Sequence, residues 1–311
     1  MIPKGLTPRI AELGKIKIGG KSDRVRTTKS GGEWRAPEKY DHFLVTTLAR
    51  NESDQLVPDD RLMTSLIQEC GDQDGKLRQI PIYLLSDNID EVLLSRYVLY
   101  RGRKRIAYCD GEQSTWFHGK GDTPLPQPKT LPCDGEHEKP GWKVHTALSC
   151  VIASGSARFG GVYRFRTTSV ISTEQLYGGL LHIQSLTGGV LTGIPMHLIV
   201  RPMQVAPEGK ATTVYVCHIE LHGSDLGEIQ QKALRAAEYK AQHQRQIRAA
   251  QRQYAALLTA PGDGESEAEQ ADIWEEYHPP MDSDVARLPA GDPWAQAGNG
   301  VVPSSVDDGS A

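Results

Sequence analysis

Long apolar runs are missing from this sequence of 311 residues. The longest candidates, such as residues 190–200, are interrupted by Thr, Gly, Pro and His, and none approaches the roughly 18–20 apolar residues of a membrane helix. No apolar signal-peptide core follows the first residues, MIPK. With 38% hydrophobic and 24% charged residues, the chain is predicted to be soluble and to stay in the compartment where it is made.

Signatures of common enzyme sites are missing too. Residues 14–22 resemble a phosphate-binding loop, but five residues separate the first Gly from the Gly-Lys pair, where the motif needs four. Residues 218–222 (HIELH) place Glu one position too late for the two-histidine zinc motif of proteases, and they alternate like a strand. No Gly-x-Ser-x-Gly turn occurs. We therefore predict that the protein is not an enzyme.

Basic residues are nearly absent from the C-terminal end of the chain. Residues 261–311 hold 12 acidic residues and one basic residue, a net charge of −11, whereas residues 1–260 hold 34 basic and 27 acidic residues, a net charge of +7. The Gly, Pro, Glu, Asp and Ser content of the end cannot bury enough apolar surface to fold. Residues 260–311 are predicted to be a disordered acidic tail that folding does not need, with Trp274 and Trp294 as its large aromatic residues.

Short alternating segments dominate residues 1–223 and predict an α+β body with a mainly antiparallel sheet and few helices, because short turns join most neighbouring strands. Residues 15–18 are predicted to be a first edge strand, followed by a flexible basic loop over residues 19–39. The other predicted strands are 42–47, 79–85, 93–100, 104–108, 146–153, 161–167, 195–200 and 212–221, and the predicted helices are 62–69 and 172–186, the second capped by Ser172.

One internal stretch, residues 109–145, has no periodicity and holds five prolines and five glycines after Cys109. A structureless stretch of this length needs something to hold it. Four soft ligands lie in it and at its ends, and they predict a closed structural zinc site that orders the loop. These ligands are Cys109, Cys133, His137 and His145, and either His118 or Cys150 could replace one of them. The alternative is a pair of free thiols with exposed histidines.

A last helix is predicted over residues 224–259, with Ser224 as its N-cap. Its apolar positions step by three and four residues, which is a heptad stripe that includes Lys240 and His243. Either a partner protein, the protein's own sheet or a second copy covers this stripe. The residues predicted to bind a partner are Leu226, Ile229, Ile247 and Tyr254.

Five segments in a fixed order resemble a phage and prophage family. They are GKLRQIPIYLL (75–85), CDGE (109–112), LPC (131–133), GGVYRFRTTS (160–169) and LTGGVLTGIPMHL (186–198). Together they are similar to the recombination directionality factors that accompany large serine integrases in actinobacterial temperate phages. The resemblance covers about residues 5–235, and the order of the segments carries it more than any single one.

The resemblance implies an accessory protein in the cytoplasm of a bacterial host. Such a factor binds the large serine integrase of the same phage on attachment-site DNA, suppresses integration and switches on excision between the hybrid sites. Direct sequence-specific DNA binding is not expected. Family members commonly have more cysteines near Cys133, where this chain has His137 and His145.

Two alternatives from other functional classes remain. A zinc-dependent hydrolase acting on nucleic acid or nucleotides would need an open metal position beside a carboxylate base, for which Glu136 or Glu138 is available. A zinc-containing accessory protein that binds single-stranded nucleic acid would need aromatic residues on which bases stack. Aromatic residues make up only 6% of the chain, and no stacking platform stands out.

Overall fold

Strands account for most of the ordered secondary structure in the computed structural model, which describes residues 10–27, 33–52, 55–102, 104–206, 211–221 and 225–242, with residues 252, 270, 273 and 274. The strands are β1 (Ala11–Thr27), β2 (Glu33–Arg50), β3 (Leu56–Pro58), β4 (Gln79–Tyr83), β5 (Leu93–Arg101), β6 (Lys104–Cys109), β7 (Gln113–His118), β8 (Pro124–Pro132), β9 (Trp142–Ile152), β10 (Gly161–Thr167), β11 (Met196–Val205) and β12 (Thr212–Leu221). The α-helices are α1 (Asp60–Cys70), α2 (Ile89–Val92), α3 (Val170–Leu186) and α4 (Leu226–Gln242).

The strands form one extended sheet with the order β3-β2-β1-β10-β9-β5-β6-β7-β8. The end of β9 also pairs with β4, which continues the sheet through β11 to β12. In the described part of the chain, the pair β1–β10 is parallel and the other strand pairs are antiparallel. The predicted α+β class with a mainly antiparallel sheet is therefore confirmed.

The two faces of the sheet differ because successive side chains of a strand point to opposite sides. In β9 and β10, Leu148, Cys150 and Phe165 point into the main core. Helices α1 and α3 contribute Leu66 and Leu180 to the same core. The opposite face, which we call the outer face, carries Leu94, Arg96, Val98 and Tyr100 of β5, Arg105 of β6, His145 and Ala147 of β9, and Arg164 and Arg166 of β10.

The N-terminal segment differs from its prediction. Ile16 and Ile18 are buried in the main core, and β1 lies between β2 and β10, so it is not an edge strand. The predicted basic loop is instead the end of a long β1–β2 hairpin, which pairs Gly19 with Lys39 and Thr27 with Glu33. Backbone pairing in an antiparallel ladder needs no apolar side chains, and the polar composition therefore concealed it.

The Pro-rich stretch is also more ordered than predicted, because it contains β7 and β8. Strand β8 carries prolines at positions 124, 126, 128 and 132, and it is the last strand of the sheet path. Proline lacks the N–H that a ladder needs, so it is tolerated in a strand whose second side is not paired. Its position at the edge explains how a proline-rich sequence forms a strand.

Helix α3 begins earlier than predicted. Its N-cap is Ser169, whose Oγ accepts a hydrogen bond of 3.3 Å from the backbone N–H of Ser172. Ser172 is buried instead, and its Oγ accepts from the backbone N–H of Cys217 at 3.1 Å. Thus Ser172 ties the helix to β12 and does not cap it.

The C-terminal part of the chain is described in two pieces. Helix α4 ends at Gln242 in the described residues, and the predicted continuation over residues 243–259 lies outside them except for the helical residue Arg252. In the tail, Ile273 and Trp274 pack on the outer face with Val98 and Tyr100. At these two positions the tail is attached to the body, whereas its composition predicts a disordered segment. The predicted division of the chain into a body, a C-terminal helix and a tail, with boundaries after residues 223 and 259, stays a prediction. Among the described residues, no helix has the length and apolarity to cross a bilayer.

Candidate metal centre

Two strand ends position the cysteines of the site. Cys109 is the last residue of β6, and Cys133 directly follows β8. The backbone N–H of Cys133 donates to the carbonyl of Glu112 at 2.7 Å, and the N–H of Gly111 donates to Sγ of Cys109 at 3.2 Å. The tight turn between β6 and β7 therefore holds both thiols beside each other.

The third member of the site, His137, lies in a 3₁₀ turn over Glu136–Glu138. Gly135 precedes this turn with φ 74°, a left-handed conformation that glycine adopts without strain. The imidazole of His137 packs on the ring of Tyr97, with 4.6 Å between the ring centroids. Tyr97 pairs with Cys109 across β5 and β6, so the stacking brings His137 to the thiols.

The distances among the three groups suit a tetrahedral metal ion. Nδ1 of His137 lies 3.2 Å from Sγ of Cys133 and 3.9 Å from Sγ of Cys109. All three candidate ligand atoms lie within 4.8 Å of one another. Ligands that share one zinc ion at 2.0–2.3 Å are roughly 3.3–3.8 Å apart. The site could therefore hold a zinc ion with little rearrangement.

The electrostatics of the site depend on burial. Burial raises the pKa of Cys109 to about 12, and the neighbouring thiol of Cys133 adds to this effect. Without a cation, the Cys109 thiol therefore keeps its proton at neutral pH. A metal ion binds the thiolate, so binding would release this proton. This coupling between proton and metal is typical of buried cysteine sites.

The fourth predicted ligand, His145, lies on the other side of the sheet. Its neighbour Val144 pairs with Tyr97, which faces the cluster, and alternation then turns His145 to the outer face. There its ring lies 5.5 Å from that of Tyr100. Of the four predicted ligands, the fold therefore brings three together: Cys109, Cys133 and His137.

The two predicted substitutes are not in the cluster either. Cys150 is fully buried in the main core, where its Sγ lies 3.8 Å from the carbonyl of Tyr163. Burial raises the pKa of its thiol to about 12. His118 ends β7 and pairs with Pro124, and it does not belong to the group that could hold a metal.

The predicted partner-binding residues are described only in part. Ile229 is 6% exposed, and Ala233 on the same stripe belongs to the main core. The first turns of the stripe thus pack on the protein itself. The side chain of Leu226 lies outside the described residues, as do Ile247 and Tyr254. Their contact with a partner stays a prediction.

Sequence reasoning missed the outer face. Its signal was present in the alternation of Arg96, Val98 and Tyr100 in β5 and of Arg164 and Arg166 in β10. This period of two indicates a second face, but it does not show that the arginines of separate strands meet. Their meeting follows from the pairing of β5 with β9 and of β9 with β10.

Fold and site define a mixed α+β protein that is built on one large sheet, with a Cys/His cluster at the turn between β6 and β7. The family model for Gp3-like proteins, described as recombination directionality factor-like, matches residues 13–222. The chain therefore belongs to the recombination directionality factor-like family. No curated protein and no solved structure matches it.

Proposed function

We propose that the protein is a phage recombination directionality factor that binds a large serine integrase and switches it from integration to excision. The observation that carries this proposal is the family match over residues 13–222. These residues comprise nearly all of the sheet and the Cys/His cluster. The protein would act as an accessory factor, with the catalytic serine supplied by the integrase.

The switch is a shift of population between arrangements of the integrase. The factor needs only to bind one arrangement of the integrase on its attachment sites better than another. Changing a ratio of 1:99 to 99:1 requires a difference in binding free energy of about 5.5 kcal/mol. A contact surface of modest size can supply this difference without any chemistry.

Zinc has a structural role in this proposal. Cys109, Cys133 and His137 would hold the ion and tie the turn after β6 to the end of β8. The ion would replace the proton of the buried Cys109 thiol and restrain a segment that is rich in Pro and Gly. Because His145 lies on the outer face, this proposal leaves the fourth position to another group.

We place the integrase contact on the continuation of the α4 stripe. Ile229 is buried within the chain, which leaves Ile247, Tyr254 and Leu257 as large apolar positions of the predicted stripe for a partner. A helix must cover such a stripe, because exposed apolar surface is unfavourable in water. The polar positions Lys240 and His243 favour a partner with acidic or polar residues at that level.

Recombination between hybrid attachment sites tests the proposal. The wild-type protein added to its cognate integrase should switch on excision and suppress integration. Ile247→Asp and Tyr254→Asp should reduce excision at least tenfold, whereas Leu234→Asp should not, because Leu234 is already 60% exposed on the same helix. If wild type leaves both reactions unchanged, the assigned function is wrong. If both stripe variants stay folded and still drive excision, the contact lies elsewhere.

The hydrolase alternative remains a second candidate on one observation. Two cysteines and one histidine leave a fourth metal position, and catalytic zinc sites also have three protein ligands and an open position. One of its two candidate bases, Glu136, is already engaged, because its Oε2 accepts a hydrogen bond of 2.9 Å from the backbone N–H of Asp134. Glu138 is therefore the base to test. Zinc-dependent cleavage of an oligonucleotide by wild type, and its loss in Glu138→Gln, would favour this alternative.

A further inference from the structure

Four arginine side chains lie on the outer face, and two of them stack on aromatic rings. The guanidinium carbon of Arg96 lies 4.2 Å from the ring centroid of Tyr108. The guanidinium of Arg105 lies 4.8 Å from the ring centroid of Phe117, and Arg105 is only 7% exposed. Stacking of this kind restrains the orientation of a guanidinium group while its edge still donates hydrogen bonds.

Carboxylates and guanidinium groups meet on the outer face. Glu12 lies 3.6 Å from both Arg164 and Arg166, so one carboxylate serves two guanidinium groups. Glu91 lines the same surface, and the charge of Arg96 acts on Asp110. A guanidinium group has five N–H donors, so each arginine here can bind more than one acceptor. Such a surface suits an acidic ligand, because arginine binds carboxylates through paired hydrogen bonds.

The chain's own tail supplies an acidic ligand for the outer face. Ile273 is 3% exposed and packs against Val98 and Tyr100, and the ring of Trp274 lies 6.0 Å from that of Tyr100. Gln270, Ile273 and Trp274 are helical and follow the spacing i, i+3, i+4, which places them on one side of a helical turn. An aliphatic residue and an adjacent aromatic residue therefore anchor the segment.

The charge of the segment complements that of the sheet. Residues 263–276 include seven acidic residues and no basic residue. Asp272 and Glu275 directly flank the anchoring pair in sequence. The combination of apolar anchors with surrounding carboxylates matches a surface that combines an apolar floor with arginines.

We propose that the outer face is a recognition site for an acidic segment of a partner protein that carries an adjacent aliphatic–aromatic pair. The segment around Ile273 and Trp274 occupies this site within the chain and competes with the partner. A partner segment of the same chemistry displaces the tail and takes its place on Val98 and Tyr100. This inference goes beyond the proposed function and does not depend on the integrase.

A protein segment suits this surface better than the backbone of a nucleic acid. Val98, Tyr100 and Tyr108 form an apolar floor, which takes the side chain of Ile273 and matches no part of a phosphate backbone. The arginines line the same surface, and Arg96 and Arg105 stack on rings of the protein itself. The charge therefore supplements an apolar anchor, which is typical of short-motif recognition.

Displacement by a peptide added in trans tests the proposal on the full-length chain. The probe is a fluorescent peptide of residues 263–278, and fluorescence anisotropy measures its binding. Ile273→Asp, which releases the tail, should bind the probe about tenfold more tightly than wild type, since a tethered competitor acts at millimolar effective concentration. Leu288→Asp makes the same change elsewhere in the tail and should bind like wild type. No increase in Ile273→Asp would overturn the proposal.

The floor and the charge are tested separately. Adding Tyr100→Ser to Ile273→Asp should abolish the tighter binding, and a probe with Asp in place of Ile273 should not bind. Binding to the released variant should also weaken as NaCl rises from 50 to 500 mM, because salt screens charge pairs at a surface. Trp274→Ala, a milder change, should release the tail in part. Binding of the probe that does not depend on Tyr100 would contradict the assigned site.

Two other occupants give different results. If the released variant binds a DNA duplex and not the peptide, the arginines serve nucleic acid, and the proposal is wrong. If wild type is a dimer by light scattering and Ile273→Asp is a monomer, the tail of a second copy occupies the face, and the proposal is also wrong. A monomeric wild type with peptide binding in Ile273→Asp supports it.

Discussion

Single substitutions of cysteine and histidine test the metal centre at the scale of residues. Wild type purified without chelators should carry close to one metal ion per chain, measured by elemental analysis. Cys133→Ser and His137→Asn should lose the ion, because each removes one of three clustered ligands. His145→Asn should keep it, because His145 lies on the outer face.

Cys70→Ser is the matched control for Cys133→Ser. The Cys70 thiol donates to the carbonyls of Leu66 and Gln79, away from the cluster, and its loss should leave the metal content unchanged. Wild-type protein without metal would end the zinc proposal. Loss of metal in His145→Asn would restore the ligand set that the spacing predicts and would contradict the strand register.

A second residue-scale prediction concerns Asp41. Its carboxylate accepts hydrogen bonds from Lys76 at 2.6 Å and from Arg78 at 2.9 Å, and with His42 these hold the pKa of Asp41 well below its usual range. A depressed pKa contributes stability above the unfolded value of about 3.9, and this stability is lost as pH falls through the folded value. Asp41→Asn should therefore be less stable than wild type at pH 7.

The difference between Asp41→Asn and wild type should shrink as pH falls below about 4, measured by urea unfolding from pH 7 to pH 2. Asp74→Asn is the control, because Asp74 is 71% exposed and lies 3.8 Å from Arg78, so its loss should matter little. A difference that persists unchanged down to pH 2 would show that Asp41 acts through packing and not through its charge.

At the scale of elements, α4 offers two adjacent positions with opposite environments. Ala233 is 4% exposed and belongs to the main core, whereas Leu234 is 60% exposed. Ala233→Asp should lower the free energy of unfolding by about 2–4 kcal/mol, because it buries a carboxylate without a partner. Leu234→Asp should change it by less than about 0.5 kcal/mol. Equal effects in a thermal melt would show that α4 is not docked as described.

Elements with a strong local signal could be predicted from the sequence. The hairpin of β5 and β6, the strands β10 and β12, and helix α1 lie close to their predicted bounds. The signals there are alternation and a Gly-containing turn, and both are local. Strand β8 could not be predicted, since only its place at the sheet edge makes its prolines acceptable.

At the scale of the whole molecule, burial of Ile273 against Val98 and Tyr100 is expected to make the tail contribute to stability. Burying an isoleucine side chain contributes about 1.5–3 kcal/mol, and 1 kcal/mol shifts Tm by about 2–4 °C for a chain of 150–250 residues. Ile273→Asp should therefore lower Tm by roughly 3–12 °C, and deletion of residues 261–311 should lower it similarly. The composition of the tail predicts no such loss.

Leu288→Asp should leave Tm unchanged, and it separates the anchor from the added charge. If Ile273→Asp and the deletion both melt within about 1 °C of wild type, the tail is dispensable for folding, as its composition suggests. Unfolding of the deletion variant at room temperature would show that the tail is part of the main core, which the position of Ile273 on the outer face does not predict.

The sequence by itself determined the fold class, most strands, three residues of the candidate centre and the family resemblance that the family match then confirmed. These depend on local periodicity, on ligand chemistry and on the order of segments. It did not determine which residues share a face. Cys109 ends β6 and His145 lies within β9, and the two side chains are equally good zinc ligands, so spacing along the chain does not separate them.

The tertiary structure decided which of Cys109 and His145 joins the cluster, through strand pairing between segments that are far apart in the chain. Tyr97 of β5 pairs with Cys109 of β6 and with Val144 of β9, and a shift of one residue in either register would exchange the faces. The same pairing brings the arginines of three strands together and leaves the place where Ile273 docks. A strand's alternation is local, but the face that becomes the core depends on contacts between distant segments.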